Sequence, residues 1–492
     1  MERGSSGAMS NKPAAAPTLA ASSLGTICLL LAGCAAPRDE APEIGVTIPP
    51  AFIAAEGTAG PINDRWWTRF GDPQLEASVE RAVADSPAIG QAIARVRQAR
   101  AAARIAGADR LPQVDASLSA ARQRLSLESL GIIVPGGGSG EGPASYTIET
   151  YDLTANVSWE IDLWGRLSAR SAAARAEFLA SGANLQAVRQ AIAAQTARTY
   201  FAIVEAGEQV ALAELAAENF AQTARQIESR VDVGSAQPLD AELADANLRS
   251  ARANLEQRRE ALARLTREFA ILLRDYPDGE VAVSAVLPPV PSPPSAGVPA
   301  ELLGRRPDIA ASLLNLQAAG FRLTAAERSF FPSISLTGSA GTSSMELSNL
   351  LDPDFFVWSI AGRLLQPIFQ GGRLRAQFEL RAGERDEALQ SYADTVLTAL
   401  SEVETALAVE EFLAGQEREL AAASVAAERV VEISRNRYEV GKEPLLPLLE
   451  SQRRALDARS TLLAVQRLRL TNRVDLHLAL GGGFEHDRGS QK

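Results

Sequence analysis

The sequence repeats a large part of itself, and this repeat constrains the fold more than any other feature. Three pairs of matching segments carry it: 165–167 with 372–374, 230–234 with 437–441, and 89–120 with 309–340. The first two pairs are 207 residues apart, whereas the third pair is 220 residues apart. Two offsets indicate one shared unit, with a loop of different length at 126–145 in the first copy. A period of about 200 residues is too long for a solenoid repeat, so the sequence predicts two copies of one large unit with internal pseudo-symmetry.

The composition indicates a helix-rich chain and disfavours several kinds of function. Aromatic residues are only 5% of the 492 residues, which is typical of long helices rather than of a compact globular core. The formal net charge of −11 disfavours nucleic acid as a partner, because binding to it requires a basic surface. Histidine occurs only at His477 and His486, and so low a count disfavours a catalytic or metal-binding protein.

The N-terminal residues are predicted to direct the chain out of the cytoplasm. A short apolar run at 19–31 follows Arg3 and Lys12, which is the layout of a secretory signal and is too short to span a bilayer. The run ends in Leu-Ala-Gly-Cys at Cys34, which resembles the bacterial lipobox and implies cleavage before Cys34 and acylation of its thiol. Ala35 then favours delivery to the outer membrane. The alternative is an ordinary signal peptide with a chance cysteine.

Helix and turn patterns divide the chain into six segments. These are a signal peptide (1–33), a lipidated extended arm (34–71), a first repeat (72–287), a Pro-rich linker (288–304), a second repeat (305–480) and a polar tail (481–492). Each repeat is predicted to contain a helix, two strands, a very long helix and a further helix. The first helix is expected to be uninterrupted from Gln74 to Arg110, with Asp72 as its cap and Pro73 in its first turn. The long helices are expected at 166–232 and 373–439, each roughly 100 Å long.

The strands alternate in a way that suits a membrane wall. From Tyr151 to Leu163 every second residue is apolar and the residues between them are polar. The other strands are expected at 114–120, 333–341 and 355–366. A lipid-facing barrel strand requires about 9–11 residues of such alternation. Four strands cannot close a barrel, so several chains would be needed to remove the open edges. The alternative is a half-buried sheet in a soluble domain.

Seven motifs in order carry a resemblance to the outer membrane factors of the TolC/OprM/NodT type, over about residues 34–483. They are Trp66-Trp67 with Phe70-Gly71-Asp72-Pro73, the segment from Trp159 to Arg166, Arg305-Arg306-Pro307-Asp308-Ile309, the segment from Phe331 to Leu336, Gln370-Gly371-Gly372-Arg373, Arg437-Tyr438-Glu439-Val440-Gly441, and Ala479-Leu480-Gly481-Gly482-Gly483.

The resemblance implies a mainly α fold with a transmembrane β-barrel. Three chains would form a homotrimer with a 12-stranded barrel in the outer membrane, four strands coming from each chain. A long α-helical barrel with a mixed equatorial belt would continue through the periplasm, and each repeat would cover about a sixth of the ring. The implied function is the passive exit duct of a tripartite efflux system of the resistance-nodulation-division type, which exports drugs and other small molecules across the outer membrane. Its implied partners are outer membrane lipid, a periplasmic adaptor protein and an inner-membrane transporter. Neither a cofactor nor a nucleic acid is implied.

The resemblance also assigns functional residues. The adaptor-docking tips would be the two hairpin turns, namely Val233, Gly234 and Ser235, and Val440, Gly441 and Lys442. The periplasmic gate would be Leu446, Glu450 and Arg453, which share one helix face. Glu450 replaces the aspartate of better-known members. The alternatives are that Gly234 and Gly441 only end helices, and that Glu450 and Arg453 form a surface ion pair contributing a few tenths of a kcal/mol.

Other functions fit the sequence less well. A periplasmic enzyme is disfavoured because no nucleophile elbow, metal cluster or phosphate loop is recognisable; the glycine-rich segment 136–140 lacks a following Lys-Ser/Thr. A structural lipoprotein stalk without a pore and the duct of a type I protein secretion system remain alternatives. A heavy-metal duct is disfavoured, since Met345 is the only methionine after the predicted signal.

Overall fold

The computed structural model describes residues 45, 47–53, 65–126, 145–294, 297 and 299–482. The predicted signal peptide, the lipidation site Cys34, the glycine-rich segment 136–140 and the tail from residue 483 lie outside the described residues.

The first half of the chain runs from a short 3₁₀ helix to a long helical hairpin. Its elements are the 3₁₀ helix Trp66–Phe70, α1 Pro73–Asp85, α2 Pro87–Ala108, β1 Gln113–Ser126, β2 Ser145–Ile161, α3 Arg166–Asp232 and α4 Pro238–Leu272. The second half has the same order, preceded by one short helix. Its elements are α5 Pro299–Arg305, α6 Pro307–Arg328, β3 Ser333–Ser344, β4 Phe356–Leu365, α7 Arg373–Glu439 and α8 Leu445–Ala479.

The element bounds recur at the two offsets found in the sequence. The helices α2 and α6 both have 22 residues, α3 and α7 both have 67, and α4 and α8 both have 35. The predicted bounds of α3 and α7 are confirmed. The helix α5 was not predicted. The end of α4 at Leu272 matches the end of α8 at Ala479 at the 207-residue offset.

The prediction of one uninterrupted first helix is wrong. The structure has two helices, α1 and α2, joined at Ser86, whose backbone is extended with ψ 127°. Proline has no amide hydrogen and its ring clashes with the carbonyl four residues earlier, so Pro87 starts a new helix instead of continuing the old one. The predicted cap of α1 is confirmed: Oδ1 of Asp72 accepts a hydrogen bond from the amide of Gln74 at 2.9 Å.

The last residues of the predicted extended arm also differ from expectation. Trp66, Trp67 and Phe70 form a buried 3₁₀ turn within the largest apolar cluster, where they pack with Phe201 and Leu470. Packing three large aromatic side chains against helices removes a large apolar surface from water. This segment therefore folds into the helical body.

The four strands form one antiparallel sheet in the order β1-β2-β3-β4. Three pairs of residues define its register, namely Val114 with Val157, Val157 with Gly338, and Ile334 with Leu364. The observed bounds of the four strands differ from the predicted bounds by a few residues. Strand ends are hard to predict because turn residues there interrupt the alternation of apolar and polar residues.

The helices pack through small residues. A stripe of alanines on α3 is buried. Near the N-terminal end of this helix the stripe consists of Ala169, Ala173, Ala176 and Ala180. Their spacing of three and four residues places them on one face, and their small side chains let neighbouring helices approach closely. None of the helices in the described residues combines the length and the apolar character needed to cross a bilayer.

Candidate functional site

The sheet has one apolar face and one polar face, and both are accessible in the single chain. Strand pairing aligns alternate residues, so Leu118, Leu153, Trp159, Ile360 and Leu364 share one side of the sheet. Ile360 on this face is 77% exposed. A soluble sheet would bury such a face, whereas the wall of a membrane barrel turns it towards lipid.

The opposite face carries a ladder of polar side chains. Ser119 and Ser343 each donate a hydrogen bond to the carboxylate of Asp152, at 3.1 and 2.6 Å. Ser117 and Thr154 are 2.9 Å apart, hydroxyl to hydroxyl. Such a face is suited to contact with water.

The apolar face is bounded at both ends of the strands. Towards the 126–145 loop, Arg122 pairs with Glu149 at 3.1 Å. At the other end Trp164 stacks on Phe331 with ring centres 5.3 Å apart, and its Nε1 donates to the carbonyl oxygen of Pro332 at 2.7 Å. Aromatic rings with one hydrogen-bonding edge favour membrane–water interfaces, so the apolar face has the boundaries of a lipid-facing band.

The two predicted tips are tight turns of the same construction. Gly234 has φ +72° and Gly441 has φ +74°, a conformation that strains residues with a Cβ atom. The amide of Ser235 donates to the carbonyl of Arg230 at 2.7 Å, and the amide of Lys442 donates to the carbonyl of Arg437 at 2.9 Å. Both glycines therefore lie in the left-handed region where the helices α3 and α7 end.

The structure brings the two tips side by side. The guanidinium carbon of Arg230 lies 4.9 Å from the centre of the Tyr438 ring, although the two residues are far apart in sequence. Val233 and Val440 are exposed at the two turns. The tips therefore form one surface in a single chain, with apolar residues available for contact.

The predicted gate residues lie on the exposed face of α8. Leu446 is 56% exposed, and Nη2 of Arg453 lies 2.9 Å from Oε2 of Glu450 in an i,i+3 ion pair. Sequence spacing correctly placed the three on one face. Within one chain the pair is largely solvated, so by itself it contributes little to stability.

A neighbouring face of α8 fixes this orientation. Leu445, Leu448 and Leu449 are buried in one cluster with Phe220 of α3 and Leu248 of α4. Because this face is anchored in the hairpin, the face with Leu446, Glu450 and Arg453 must point away from it.

One arginine of the sequence motif at 305–309 is buried and joins three helices. Arg306, before α6, donates from Nε and Nη2 to the two carboxylate oxygens of Asp308, at 3.0 and 2.7 Å. Its Nη1 donates to Glu402 of α7 at 2.6 Å and to the carbonyl of Ala479 of α8 at 3.1 Å. Burial lowers the pKa of Arg306, but the carboxylates of Asp308 and Glu402 raise it by more. The guanidinium therefore stays charged and holds the helix ends together.

A second buried network centres on the carboxylate of Asp72. Its Oδ2 accepts hydrogen bonds from the hydroxyls of Tyr200 and Ser284, at 2.6 and 2.8 Å. Burial, followed by the hydrogen bond to Asp72, raises the pKa of Tyr200 to about 12. The sequence identified Asp72 as a helix cap, but its link to α3 depends on a contact across 128 residues.

A third buried cluster contains Arg473 and His477 of α8. Arg473 of α8 is buried and pairs through Nη2 with Glu410 of α7 at 2.9 Å. One turn later His477 stacks on Trp66 with ring centres 5.6 Å apart, and among the described residues neither of its ring nitrogens has a hydrogen-bond partner. Burial, together with the charges of Arg69 and Arg473, lowers the pKa of His477 to about 3, so this ring is neutral at physiological pH.

Comparison with known proteins places these features in a family context. The profile of the family described as outer membrane efflux protein matches residues 79–268 and 298–482. The pyoverdine export outer membrane protein OpmQ of Pseudomonas aeruginosa is 31% identical over 95% of this chain and 97% of its own length. Outer membrane protein OprJ of the same organism is 32% identical over 94% of this chain and 95% of its own length.

A solved structure shows the same chain path. The CmeC outer membrane channel of Campylobacter jejuni superposes with a TM-score of 0.82 at 27% identity, over 92% of this chain and 95% of that one. The repeated order of helices and strands is thus shared with an outer membrane channel along nearly the whole chain.

Proposed function

The chain belongs to the outer membrane efflux protein family, and from this premise we propose that it forms the passive exit duct of a tripartite efflux system. One observation carries the proposal. A sheet with an apolar face and a polar face continues, through Gly165 and Gly372, directly into two helices of 67 residues. Each helix is about 100 Å long at 1.5 Å per residue. A sheet that suits lipid on one face and water on the other is thereby joined to long helices, which in the proposed assembly surround a water-filled tube.

The proposed assembly is a homotrimer in the outer membrane. Three chains would supply twelve strands to a closed barrel, which removes the open edges that β1 and β4 have in one chain. Closure is required because unpaired backbone groups are very unfavourable in lipid. In this arrangement the two repeats of each chain give the helical tube its pseudo-sixfold symmetry.

The proposed partners are a periplasmic adaptor protein and an inner-membrane transporter of the resistance-nodulation-division type. The adaptor would bind the paired tips, formed by Val233, Gly234 and Ser235 and by Val440, Gly441 and Lys442. Exposed valines beside rigid turns support this role, since a preformed apolar surface loses little conformational entropy on binding.

The proposed gate is the α8 face with Leu446, Glu450 and Arg453. Its position a few residues beyond the second tip supports coupling between adaptor binding and opening. The pair between Glu450 and Arg453 would then hold the entrance closed through contacts with equivalent residues of other chains.

The proposed anchor is an acyl chain on Cys34, at the start of an arm that precedes the first repeat at residue 72. One chain of this kind gives only marginal membrane binding by itself, so the barrel would provide most of the attachment. The signal peptide 1–33, the linker 288–304 and the second repeat 305–480 complete the proposed organisation.

The proposed cargo is small molecules, drugs among them, and the chain is proposed to export its cargo without transforming it. The family consists of outer membrane channel proteins, and one relative, OpmQ, is named for pyoverdine export. The cargo itself would be selected mainly by the transporter and the adaptor.

Planar-bilayer recording of the purified protein tests the proposal. Discrete conductance steps from a trimeric species are expected, together with restored drug resistance in cells that lack their own outer membrane efflux protein. A stable assembly that never conducts, even when the gate pair is removed, would instead support a structural lipoprotein. Export of a protein substrate without effect on drugs would support a type I secretion duct.

A further inference from the structure

Two neighbouring cavities lie where the sheet joins the long helices. The first, of about 430 Å³, lies between α3, α6 and α7. The second, of about 300 Å³, reaches from these helices to the ends of β2, β3 and β4. Arg170 of α3 lines both cavities. The junction of strands and helices therefore presents a concave surface that is separate from the predicted tips and gate.

Positive charge exceeds negative charge in both cavities. The second cavity is lined by four arginines and two carboxylates, namely Arg166, Arg170, Arg328, Arg373, Glu160 and Asp162. The first cavity is lined by three arginines and one carboxylate, namely Arg170, Arg322, Arg381 and Glu177. The whole chain has a formal net charge of −11, so this excess of positive charge is a local feature of the junction.

Both carboxylates of the second cavity already have partners. Glu160 accepts a hydrogen bond from Nη2 of Arg166 at 2.5 Å. Asp162 accepts hydrogen bonds from the backbone amides of Leu167 and Ser168, at 2.9 and 2.7 Å. One carboxylate is thus engaged by a single arginine, and the other is engaged by the start of α3.

The other three arginines of this cavity have no carboxylate partner among the described residues. Arg328 donates to the carbonyl of Gly165 at 2.8 Å, and Arg373 donates to Oε1 of Gln370 at 2.5 Å. Arg170 has neither a hydrogen bond nor an ion pair within the described part of the chain. The charges of these arginines are therefore available to an anion from outside the chain.

The surroundings of Arg170 are strongly cationic. Burial, followed by the charge of Arg166, lowers the pKa of Arg170, and the charge of Arg381 acts in the same direction. Glu160 and Asp109 oppose this shift without cancelling it. An anion beside Arg170 would offset the repulsion between the guanidinium groups.

The sequence repeat shows which carboxylates the second junction lacks. Arg373 corresponds to Arg166 at the 207-residue offset. At the same offset, two apolar residues correspond to the carboxylates at 160 and 162, namely Pro367 and Phe369. The second junction thus keeps the arginine and lacks both carboxylates that accompany it in the first junction. An external anion can take the place of the missing acceptor.

Aromatic and apolar groups line the same cavity as the arginines. Trp164 and Phe331 stack with ring centres 5.3 Å apart, and both line the second cavity together with Leu365. Small-molecule sites typically combine such apolar walls with a few polar groups that fix the orientation of the ligand. A ligand with one aromatic ring system and one negative group matches both parts of this lining.

We propose that the second cavity is a binding site for small aromatic carboxylates, with Arg170 and Arg373 as the residues that bind the carboxylate. A guanidinium can donate two parallel hydrogen bonds to a carboxylate, and these are stronger than hydrogen bonds between neutral groups. The aromatic ring of the ligand would lie against Trp164 and Phe331.

The cavity lies on the polar side of the sheet. Glu160, which lines it, shares a face of β2 with Asp152, because the two residues are eight positions apart on one strand. In the proposed channel this face is turned towards the water-filled interior. The inference that the ligand is a class of cargo therefore rests on the channel function proposed above, whereas the site itself is present in a single chain.

Equilibrium binding to the purified full-length protein in detergent tests the site. We expect 2-naphthoate to bind, as measured by isothermal titration calorimetry. The neutral 2-naphthamide and the small anion acetate should each bind at least roughly tenfold more weakly, because one lacks the charge and the other lacks the ring. Equal binding of the amide would reject the arginines as the binding groups, and equal binding of acetate would reject the aromatic wall.

Two variants test the arginines and the missing carboxylate separately. Arg170→Gln/Arg373→Gln should weaken naphthoate binding roughly tenfold or more. Pro367→Glu restores the carboxylate of the first junction, so it should also weaken binding by competing with the ligand for Arg373. Pro367→Gln has the same size without the charge and should weaken binding much less than Pro367→Glu does.

A matched pair of arginines on the same two helices provides the control. Arg175 and Arg375 are exposed, and neither lines either cavity. Arg175→Gln/Arg375→Gln should bind naphthoate as the wild type does, with assembly checked by native electrophoresis. Wild-type binding by both Arg170→Gln/Arg373→Gln and Pro367→Glu overturns the site, and so does an equal loss of binding in the control pair.

The outcome is separable from that of the proposed function, since the binding measurement does not require conduction. A conducting trimer that does not bind naphthoate keeps the channel function and rejects this site. An assembly that binds naphthoate through these arginines but never conducts keeps the site and rejects the channel function.

Discussion

The guanidinium of Arg230 lies over the ring of Tyr438, 4.9 Å from its centre, and so connects the end of α3 to the end of α7. This contact joins the two tips of one chain into a single surface. A cation–π contact at an exposed site contributes about 0.5–1 kcal/mol, enough to bias the relative position of two turns without locking it.

Bulk added at the second tip should block partner binding without unfolding the chain. A Cβ at Gly441 would meet open space, so Gly441→Trp projects its ring from the tip surface. We expect adaptor-dependent drug efflux to be lost while trimers still assemble, as measured by minimum inhibitory concentration and native electrophoresis.

The matched control is Gly441→Ala, which introduces the strain of a positive φ, about 1–2 kcal/mol, without the bulk. It should retain most of the efflux. Wild-type resistance in Gly441→Trp would show that this turn is not the docking surface.

Removing the gate pair should increase passive conductance. In Glu450→Ala/Arg453→Ala we expect a severalfold higher leak conductance in planar bilayers. The thermal stability should be unchanged, because an exposed i,i+3 pair contributes only about 0.2–0.5 kcal/mol.

The exposed pair of Glu218 and Arg225 on α3, 3.0 Å apart, provides the control. Glu218→Ala/Arg225→Ala removes the same charges elsewhere and should leave conductance as it was. Equal conductance in both double variants would reject the gate assignment.

Loss of the buried arginine should destabilise the junction of the helix ends. Arg306→Ala leaves Asp308, Glu402 and the Ala479 carbonyl without their shared donor, and we expect a loss of roughly 2–3 kcal/mol. Thermal unfolding followed by circular dichroism measures it.

The neighbouring Arg305 forms a partly exposed pair with Glu301 at 2.9 Å. Arg305→Ala should cost less than about 1 kcal/mol. Similar losses in the two variants would mean that the buried network does not hold the junction.

The buried histidine should make stability fall in acid. Burial and the nearby arginines lower the pKa of His477 to about 3, whereas in the unfolded chain it is near 6.5. The unfolded state therefore binds a proton first. The contribution of His477 to stability is complete above pH 6.5 and falls by about 1.4 kcal/mol per pH unit as the pH drops towards 3.

His477→Phe removes this titration and can keep the stacking on Trp66. The melting temperature of the variant should decline less steeply between pH 6.5 and 4 than that of the wild type. Parallel declines in the two proteins would contradict the assignment of the acid sensitivity to His477.

Most elements of the fold were predictable because they depend on local patterns. The bounds of α3 and α7 follow from uninterrupted helical composition between glycines, and the strands follow from alternation of apolar and polar residues. The break at Ser86 was missed although Pro87 is visible in the sequence, because helical residues on both sides suggested continuity. The local effect of proline prevailed.

The candidate sites also include residues that local spacing predicts and residues that it does not predict. Spacing alone placed Leu446, Glu450 and Arg453 on one face, since three and four residues make about one helical turn. It did not identify Arg306 or His477 as buried, because burial depends on which distant helices pack around a residue.

The sequence by itself determined the repeated unit, its two offsets and the local conformation of each segment, because helix and strand periodicity act between neighbouring residues. Only the tertiary structure decided that the two tips meet, that Asp72 reaches Tyr200, and that Arg306 joins α6, α7 and α8. Those contacts link residues about 100 or more positions apart. They depend on the path of the whole chain and on the apolar burial that fixes it.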